Sequence, residues 1–436
     1  VSVFEKLYDL ATGDDDARLC KDIPAGQCND QPVNFVLQTA SQALSKTGDA
    51  LADAKVVLPW LIGAVGAPLF LIGFLVPIRE SLALLPQILV GGMLRRHAVR
   101  KYFGVVFFAA QGLCVLGMAL VGLSGMTGAA AGWTIIGLLT LFSLSRGIVS
   151  IASKDVLGKT VSKTRRGRVN GYAGTISGVL AAFVGVYVAL APSEGRPDWL
   201  LYALLLGAAG LWFASAATYV RLVENPGATN GGRGFKELFG DQARLLLSDS
   251  DLRLFLYARA LMISTALMGP LFVAMAQQRA GNDLSSLGWL MLSAGLAGAV
   301  SSSFWGRFSD TSSRMTMALG AGMAGGLGVG CLLLIAIAPS VATTVAFYAA
   351  LLFLLSVAHS GVRIGRKTHI VDLAGKDNKS EYVALSNTII GVLLLIVGAF
   401  SGAAMAFGLE VGIAALSVLA LAGAALSTRM RNVQDA

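Results

Sequence analysis

The chain has 436 residues, of which 55% are hydrophobic and 14% charged, with a net charge of +9 and a mean hydropathy of +0.69. A soluble chain of ordinary usage carries about 25% charged residues, so this composition excludes a disordered chain, a collagen-like chain and a soluble multidomain enzyme. A polytopic helical membrane protein remains, and with about 20 apolar residues per span the chain has room for about a dozen spans.

In chain order, residues 1–32 are polar and acidic and show no cleavable leader, so they are expected to form an N-terminal segment outside the membrane. Cys20 and Cys28 lie in this segment, and Cys114 and Cys331 lie in apolar runs. No metal-ligand spacing links them, and all four read as structural thiols. The first span is expected over 33–60. Its polar residues Gln38, Gln42, Ser45, Lys46, Asp49 and Asp53 recur every three or four positions. That places them on one helical face, which suits the lining of an aqueous cavity.

The stretch 56–94 is apolar except for Arg79-Glu80. If these two sat in a loop, the helix after them would be about 21 Å long, too short for a hydrocarbon core of roughly 30 Å. The spacing therefore predicts one helix over 68–94 with both charges inside the membrane. Further spans follow near 101–123, 130–152, 170–190, 199–220, 253–277, 284–305, 315–338, 341–362, 382–405 and 408–428. Between the sixth and seventh lies a connector, 221–252, opened by Glu224-Asn225-Pro226-Gly227. Phe235, Leu238, Phe239, Leu245 and Leu246 share one face there, which predicts a short amphipathic helix on the membrane surface.

The loop charges orient the chain. Arg95, Arg96, Arg100 and Lys101 follow span 2, a run from Lys154 to Arg168 follows span 4, Arg307 and Arg314 follow span 8, and Arg363, Arg366, Lys367, Lys376 and Lys379 follow span 10. By the positive-inside rule both termini are cytoplasmic, as in a bacterial-type inner membrane protein. The basic surplus thus belongs to loops and does not point to nucleic acid. A shift of 213 residues aligns Lys154 with Lys367, Thr175-Ile176 with Thr388-Ile389 and Gly178-Val179 with Gly391-Val392. This repeat divides the chain into six-span bundles over 33–220 and 253–428, with a tail over 429–436.

The loop Gly306-Arg307-Phe308-Ser309-Asp310-Thr311-Ser312-Ser313-Arg314, joined to this topology, resembles the cytoplasmic signature of the major facilitator superfamily. Gly306, Asp310 and Arg314 match it, whereas Thr311, Ser313 and Met315 depart. After span 2, Gly92, Arg100 and Lys101 match, and Arg96 replaces the acidic residue, which puts the conformational latch on that side in question. The resemblance implies an all-α fold of two six-helix bundles related by a pseudo-twofold axis and working by alternating access. It is nearly silent on substrate. Span 5 lacks the Gly-Pro of the superfamily's drug antiporters, which lowers a drug or amphiphile exporter below a carrier of small organic anions or zwitterions.

No nucleophile elbow, P-loop or paired-cysteine motif appears, so neither an enzyme nor a cofactor or metal site is expected. The residues that bear on transport are charges inside spans, which cost several kcal/mol unless paired or hydrated. Lys46 can pair with Asp49 on span 1, and Asp53 lies one turn further along the same face. Arg79 and Glu80 diverge and need partners on other helices, with Lys46 or Arg146 suited to Glu80. The 213-residue shift places Arg146 on His359 in spans 4 and 10. Arg259 on span 7 lies near the symmetry mate of Lys46, and Asn387 on span 11 is a candidate hydrogen-bonding contact. The first half holds most of this charge. The basic bias favours an anionic or zwitterionic small-molecule substrate, with a proton carried by Glu80 or Asp49 and a monomer in the bilayer as the working unit. A receptor or assembly factor on the same fold is the rival outside transport, although a scaffold has little reason to keep charges in the membrane.

Overall fold

The computed structural model describes residues 3–12, 28–85, 93–94, 96–190, 199–227, 229, 244–374 and 379–434. Among them the secondary structure is helical throughout. The first half contains α1 (Val3–Thr12), α2 (Gln31–Leu51), α3 (Val57–Ala64), α4 (Ile72–Leu84), α5 (Lys101–Leu123), α6 (Gly128–Thr160), α7 (Lys163–Leu190) and α8 (Trp199–Tyr219). The second contains α9 (Ser250–Leu261), α10 (Ser264–Arg279), α11 (Leu284–Thr311), α12 (Ser313–Ile337), α13 (Val345–Leu373), α14 (Lys379–Met405) and α15 (Leu409–Thr428). Among the described residues nine helical stretches are long and apolar enough to cross a membrane, with α9 and α10 counted as one. The chain is an integral membrane protein. The polar first span, α2 with α3, lies outside those nine, as a cavity-lining helix should.

Both halves use the same pairings. α5 packs on α6 and α8, as α12 packs on α13 and α15; α4 packs on α6, as α11 packs on α13; α2 packs on α8, as α9 and α10 pack on α15. This repetition is the pseudo-twofold relation of two six-helix bundles. One apolar core runs through both, and a second cluster around Phe255, Met317 and Tyr382 closes the basic end of the second half.

Spans 1 and 7 are both broken. α2 ends at Leu51 and α3 begins at Val57; α9 ends at Leu261 and α10 begins at Ser264. Pro59 explains the first break, because a proline inside a continuous helix loses its own hydrogen bond and clashes with the carbonyl four residues earlier, here that of Lys55. In the restarted helix Pro59 falls in the first turn, where its missing N–H costs nothing. The expectation that Asp53 continues the polar face of an unbroken helix is therefore wrong. Asp53 sits in the break, and its carboxylate accepts from the backbone N–H groups of Lys55 (2.8 Å) and Val56 (3.1 Å).

Span 2 is helical over 69–71 as a 3-10 turn and over 72–84 as α4, with Arg79 and Glu80 inside α4; residues 86–92 of the expected 68–94 helix, Gly92 included, lie outside the described residues. Two helices are longer than expected. α6 runs 33 residues to Thr160 and α13 runs 29 residues to Leu373. Lys154, Lys159, Arg363, Arg366 and Lys367 are thus helical and not in loops, because no Gly-Pro or Asn-Gly breaker interrupts either stretch. Of the expected connector helix, Phe235, Leu238 and Phe239 lie outside the described residues, and Leu245 and Leu246 pack on the second cluster. Cys28 is disulfide-bonded, against the expectation of a free thiol, and Cys114 and Cys331 are free and buried; Cys20 lies outside the described residues.

The halves meet along α4 with α14 and α7 with α11. The approach is close. A Cβ added at Gly73 would lie 2.7 Å from Gly402 Cα, one at Gly398 2.2 Å from Pro77 Cγ, and one at Gly288 2.2 Å from Ala189 N. Ser81 Oγ donates to Gly391 O (2.5 Å), and Gln277 Nε2 donates to Trp60 O (3.1 Å). These contacts lie from mid-membrane to the end away from the basic segments. Toward the basic end a Cβ at Gly171, Gly174 or Gly178 on α7, or at Gly295, Gly298 or Gly306 on α11, would meet nothing within 4 Å. Among the described glycines, those where the two bundles touch lie from mid-membrane to the end away from the basic segments, and those toward the basic end stand open.

Candidate functional site

Asp49, on α2, is the hub of the first half. Its Oδ1 accepts from Arg79 Nη2 (2.7 Å) and its Oδ2 from Arg146 Nη1, joining spans 1, 2 and 4. Arg79 also stacks over the Phe142 ring, 4.9 Å from its centroid. The expected Lys46–Asp49 pair does not form, because Asp49 is already held by two guanidiniums with fixed forks; Lys46 Nζ donates instead to Asn170 O (3.2 Å) on α7. Lys46, Asp49, Arg146 and Asn170 line a cleft of ≈ 260 Å³ within the first half, together with Gln111 and Lys154.

The two helix breaks face each other across the halves. Lys55, in the first break, places Nζ 3.4 Å from His359 Nε2 on α13, and His359 Nδ1 lies 3.0 Å from Thr265 Oγ1, just after the second break. The ammonium can only donate, and the Thr265 hydroxyl donates to Met262 O (2.8 Å). The ring therefore accepts at Nε2 and donates from Nδ1.

Arg259 turns inward. Its Nη1 donates to Ser386 Oγ and its Nη2 to Asn387 Oδ1 (3.2 Å), so Asn387 is engaged by Arg259 and not free. Glu80 is exposed and makes no hydrogen bond or ion pair with any described residue. Neither Lys46 nor Arg146 bonds it, contrary to expectation, because Asn170 and Asp49 hold them. Lys55, Arg79, Arg366 and Arg146 are the cations that act on Glu80 through space.

The first half holds Lys46, Asp49, Asp53, Lys55, Arg79, Glu80 and Arg146, and the second half adds a cluster of its own. α13 supplies His359, Arg363, Arg366 and Lys367, the first three at i, i+4 and i+7 and so on one face. Arg363, Arg366, Lys367 and Lys154 have no hydrogen-bond or ion-pair partner among the described residues. Of the three candidate carboxylates, Asp49 is taken by two arginines, Asp53 by backbone amides, and only Glu80 is open. These spans carry a surplus of positive charge.

At the basic end the expected latch residues take two forms. In the first half Arg100 Nη1 donates to Asp155 (2.6 Å), and a fully buried Glu224 side chain accepts from the backbone N–H of Arg100 (2.9 Å), from that of Lys101 (2.6 Å) and from Lys159 Nζ (2.9 Å). The acid that Arg96 replaces is thus supplied from α6 and from beyond α8, and Arg96 itself is exposed. In the second half Arg314 donates to the carbonyl of Met430 (2.9 Å), tying α12 to the end of α15. Gly306 and Asp310 lie on α11, with Asp310 exposed.

Lys55, Thr265 and Ser386 were not singled out from sequence, and Arg363 and Arg366 were read only as loop charges after span 10. A signal existed for the first break alone: Pro59 falls in the first turn of the restarted helix, whereas Pro270 lies inside α10 and marks no break.

Two six-helix bundles with charges inside their spans define a fold of the major-facilitator type. Solved structures share it. A POT family transporter in complex with 5-aminolevulinic acid superposes with a TM-score of 0.67 at 9% identity, over 90% of this chain and 94% of that one. A peptide transporter POT in complex with sulfate gives 0.65 at 12% identity, over 91% and 93%. The nucleoside transporter NupG gives 0.65 at 11% identity, over 91% and 99%. At these identities the likeness is one of fold. No family profile matches the sequence, and no curated protein matches it.

Proposed function

We propose that the chain is a secondary active transporter that moves a small organic anion or zwitterion by alternating access. The observation that carries this reading is the set of cations from both halves, Lys154, Arg363, Arg366 and Lys367, that have no ion-pair partner among the described residues, beside a first-half cleft lined by Lys46, Asp49 and Arg146. An anionic solute would relieve that surplus, and the facing breaks of spans 1 and 7 offer Lys55, His359, Thr265 and Arg259 as its contacts. Arg146 and Arg79, organised by Asp49, supply planar forks that suit a carboxylate or phosphate. The energy comes from a gradient. Glu80 is the carboxylate left open to bind and release a proton, which favours proton coupling as one source. We place the basic end in the cytoplasm by the positive-inside rule, in a bacterial-type inner membrane, with both termini on that side. One chain contains both halves, so the monomer suffices.

A thermal-shift screen of metabolites and drugs across pH tests the reading, since a ligand that binds the folded state raises its apparent stability. Anions or zwitterions should stabilise the protein and be taken up by proteoliposomes containing it. Stabilisation by apolar cations alone, with Arg146→Ala unaffected, would favour drug export instead.

A further inference from the structure

Lys154 and Lys367 are symmetry mates under the 213-residue repeat. They lie at the same depth on α6 and α13, one in each half, both exposed where the bundles stand apart. Arg363 stands one turn from Lys367, and Lys154, Arg363 and Arg366 all act on Lys367 through space. Among the described residues Asp155 pairs with Arg100 and Lys159, Asp372, five residues beyond Lys367 on α13, pairs with no cation and accepts from the Gln434 amide, and Glu80 on α4 acts through space on Arg366. The mouth is thus a like-charge pair of walls. If the halves pivot about the contacts at Gly73, Gly402 and Gly288, closing the basic end must bring α6 toward α13. Unneutralised cations forced together in a narrowing, partly desolvated mouth repel strongly.

We propose that Lys154, Arg363 and Lys367 form an anion-capture site at this mouth, that its occupant is a multiply charged small anion such as a polycarboxylate or a phosphate ester, and that the mouth closes only with that anion bound, so the carrier exchanges anions and does not return empty. The proposal rests on the carrier reading above and adds the charge class of the solute and the mode of transport. A monoanion leaves two of the three positive charges uncompensated. A dianion leaves one and a trianion none, and Arg363 adds a planar fork for bidentate contact. From the mouth, Arg363, Arg366 and His359 form one stripe on α13 toward the Lys55–His359 contact, so a captured anion meets a cation or a donor at each turn of the helix.

Nitroxide labels at Gly158→Cys on α6 and Thr368→Cys on α13 report the width of the mouth by pulsed dipolar spectroscopy. The probes are chloride, acetate, inorganic phosphate and citrate at matched ionic strength. In chloride or acetate the wild-type background should show the long distance, and citrate or phosphate should raise the short-distance population by about tenfold. Lys154→Gln/Lys367→Gln, and separately Lys154→Glu, should populate the short distance in chloride alone. Both lysines are exposed and unpartnered, so these variants retain the fold. Equal closure of the wild-type background in chloride and citrate, or a double variant that still needs citrate, overturns the proposal and leaves the carrier reading standing. A single unchanging distance in every variant and every salt, with cooperative thermal unfolding intact, overturns the carrier reading itself.

Discussion

Replacing Glu224 by alanine should strip the first half of the anchor that joins the loop after span 2 to the ends of spans 4 and 6. The carboxylate has no exposure and accepts from two backbone amides, those of Arg100 and Lys101, and from the Lys159 ammonium at 2.9 Å. An orphaned buried donor costs about 1–3 kcal/mol, and breaking a buried ion pair from one side costs about 3–5 kcal/mol. These costs overlap, and the Lys159 side chain is 21% exposed and keeps Asp155 at 3.5 Å, so its share is partly recovered. The net loss should be about 4 kcal/mol. Glu224→Gln retains one acceptor oxygen and should lose about half as much. Thermal unfolding of the purified protein in detergent reads the effect, and a cycle with Lys159→Met separates the ammonium from the amides. In that cycle Glu224→Ala should cost less in the Lys159→Met background than alone. An unchanged melting temperature for Glu224→Ala, or strict additivity with Lys159→Met, would refute the assignment of Glu224 as this anchor.

Other outcomes follow from the same geometry. Gly288→Leu puts a side chain where a Cβ already falls 2.2 Å from Ala189 N; it should hold the closed end apart and abolish uptake by proteoliposomes while the protein still unfolds cooperatively. Arg146→Lys keeps the charge but loses the fork on Asp49, so a stabilising ligand should bind more weakly by calorimetry, and Arg146→Ala more weakly still; unchanged binding in Arg146→Ala would remove the residue from the site. Glu80→Gln should lose accumulation driven by a proton gradient and retain exchange; undiminished accumulation would place coupling elsewhere. Tyr8, buried between Gln31 and the Arg165 guanidinium, pins α1 to α2, so Tyr8→Ala should expose α1 to limited proteolysis; equal cleavage of both proteins would contradict that role.

The spans were legible because apolar runs of membrane length leave few alternatives, and the repeat was legible through Lys, Thr and Gly matches. The 14-residue remnant beyond Arg79-Glu80 correctly argued for charge inside a helix. Partners were not legible. Asp49 finds Arg79 and Arg146 only because spans 1, 2 and 4 converge, and i,i+3 spacing made Lys46 look nearer than it is. Pro59 held the information for the first break, yet its effect was hidden by a continuous polar stripe from Gln38 to Asp53. Arg363 and Arg366 read as loop residues because a charged run after an apolar span ordinarily ends it. In α13 the helix continues past the run. The Glu224 anchor depends on long-range convergence of α5, α6 and the segment after α8, which no local pattern encodes.

Counterflow asks whether this fold carries a solute across the membrane past its inward cations. Proteoliposomes are loaded with an unlabelled anion that stabilises the protein in the thermal-shift screen, then diluted into a trace of the labelled form. A carrier should give a transient overshoot of labelled anion, lost in Arg146→Ala and in Gly288→Leu. Absence of overshoot for every stabilising anion, with folded protein inserted in the vesicles, would contradict transport by this fold.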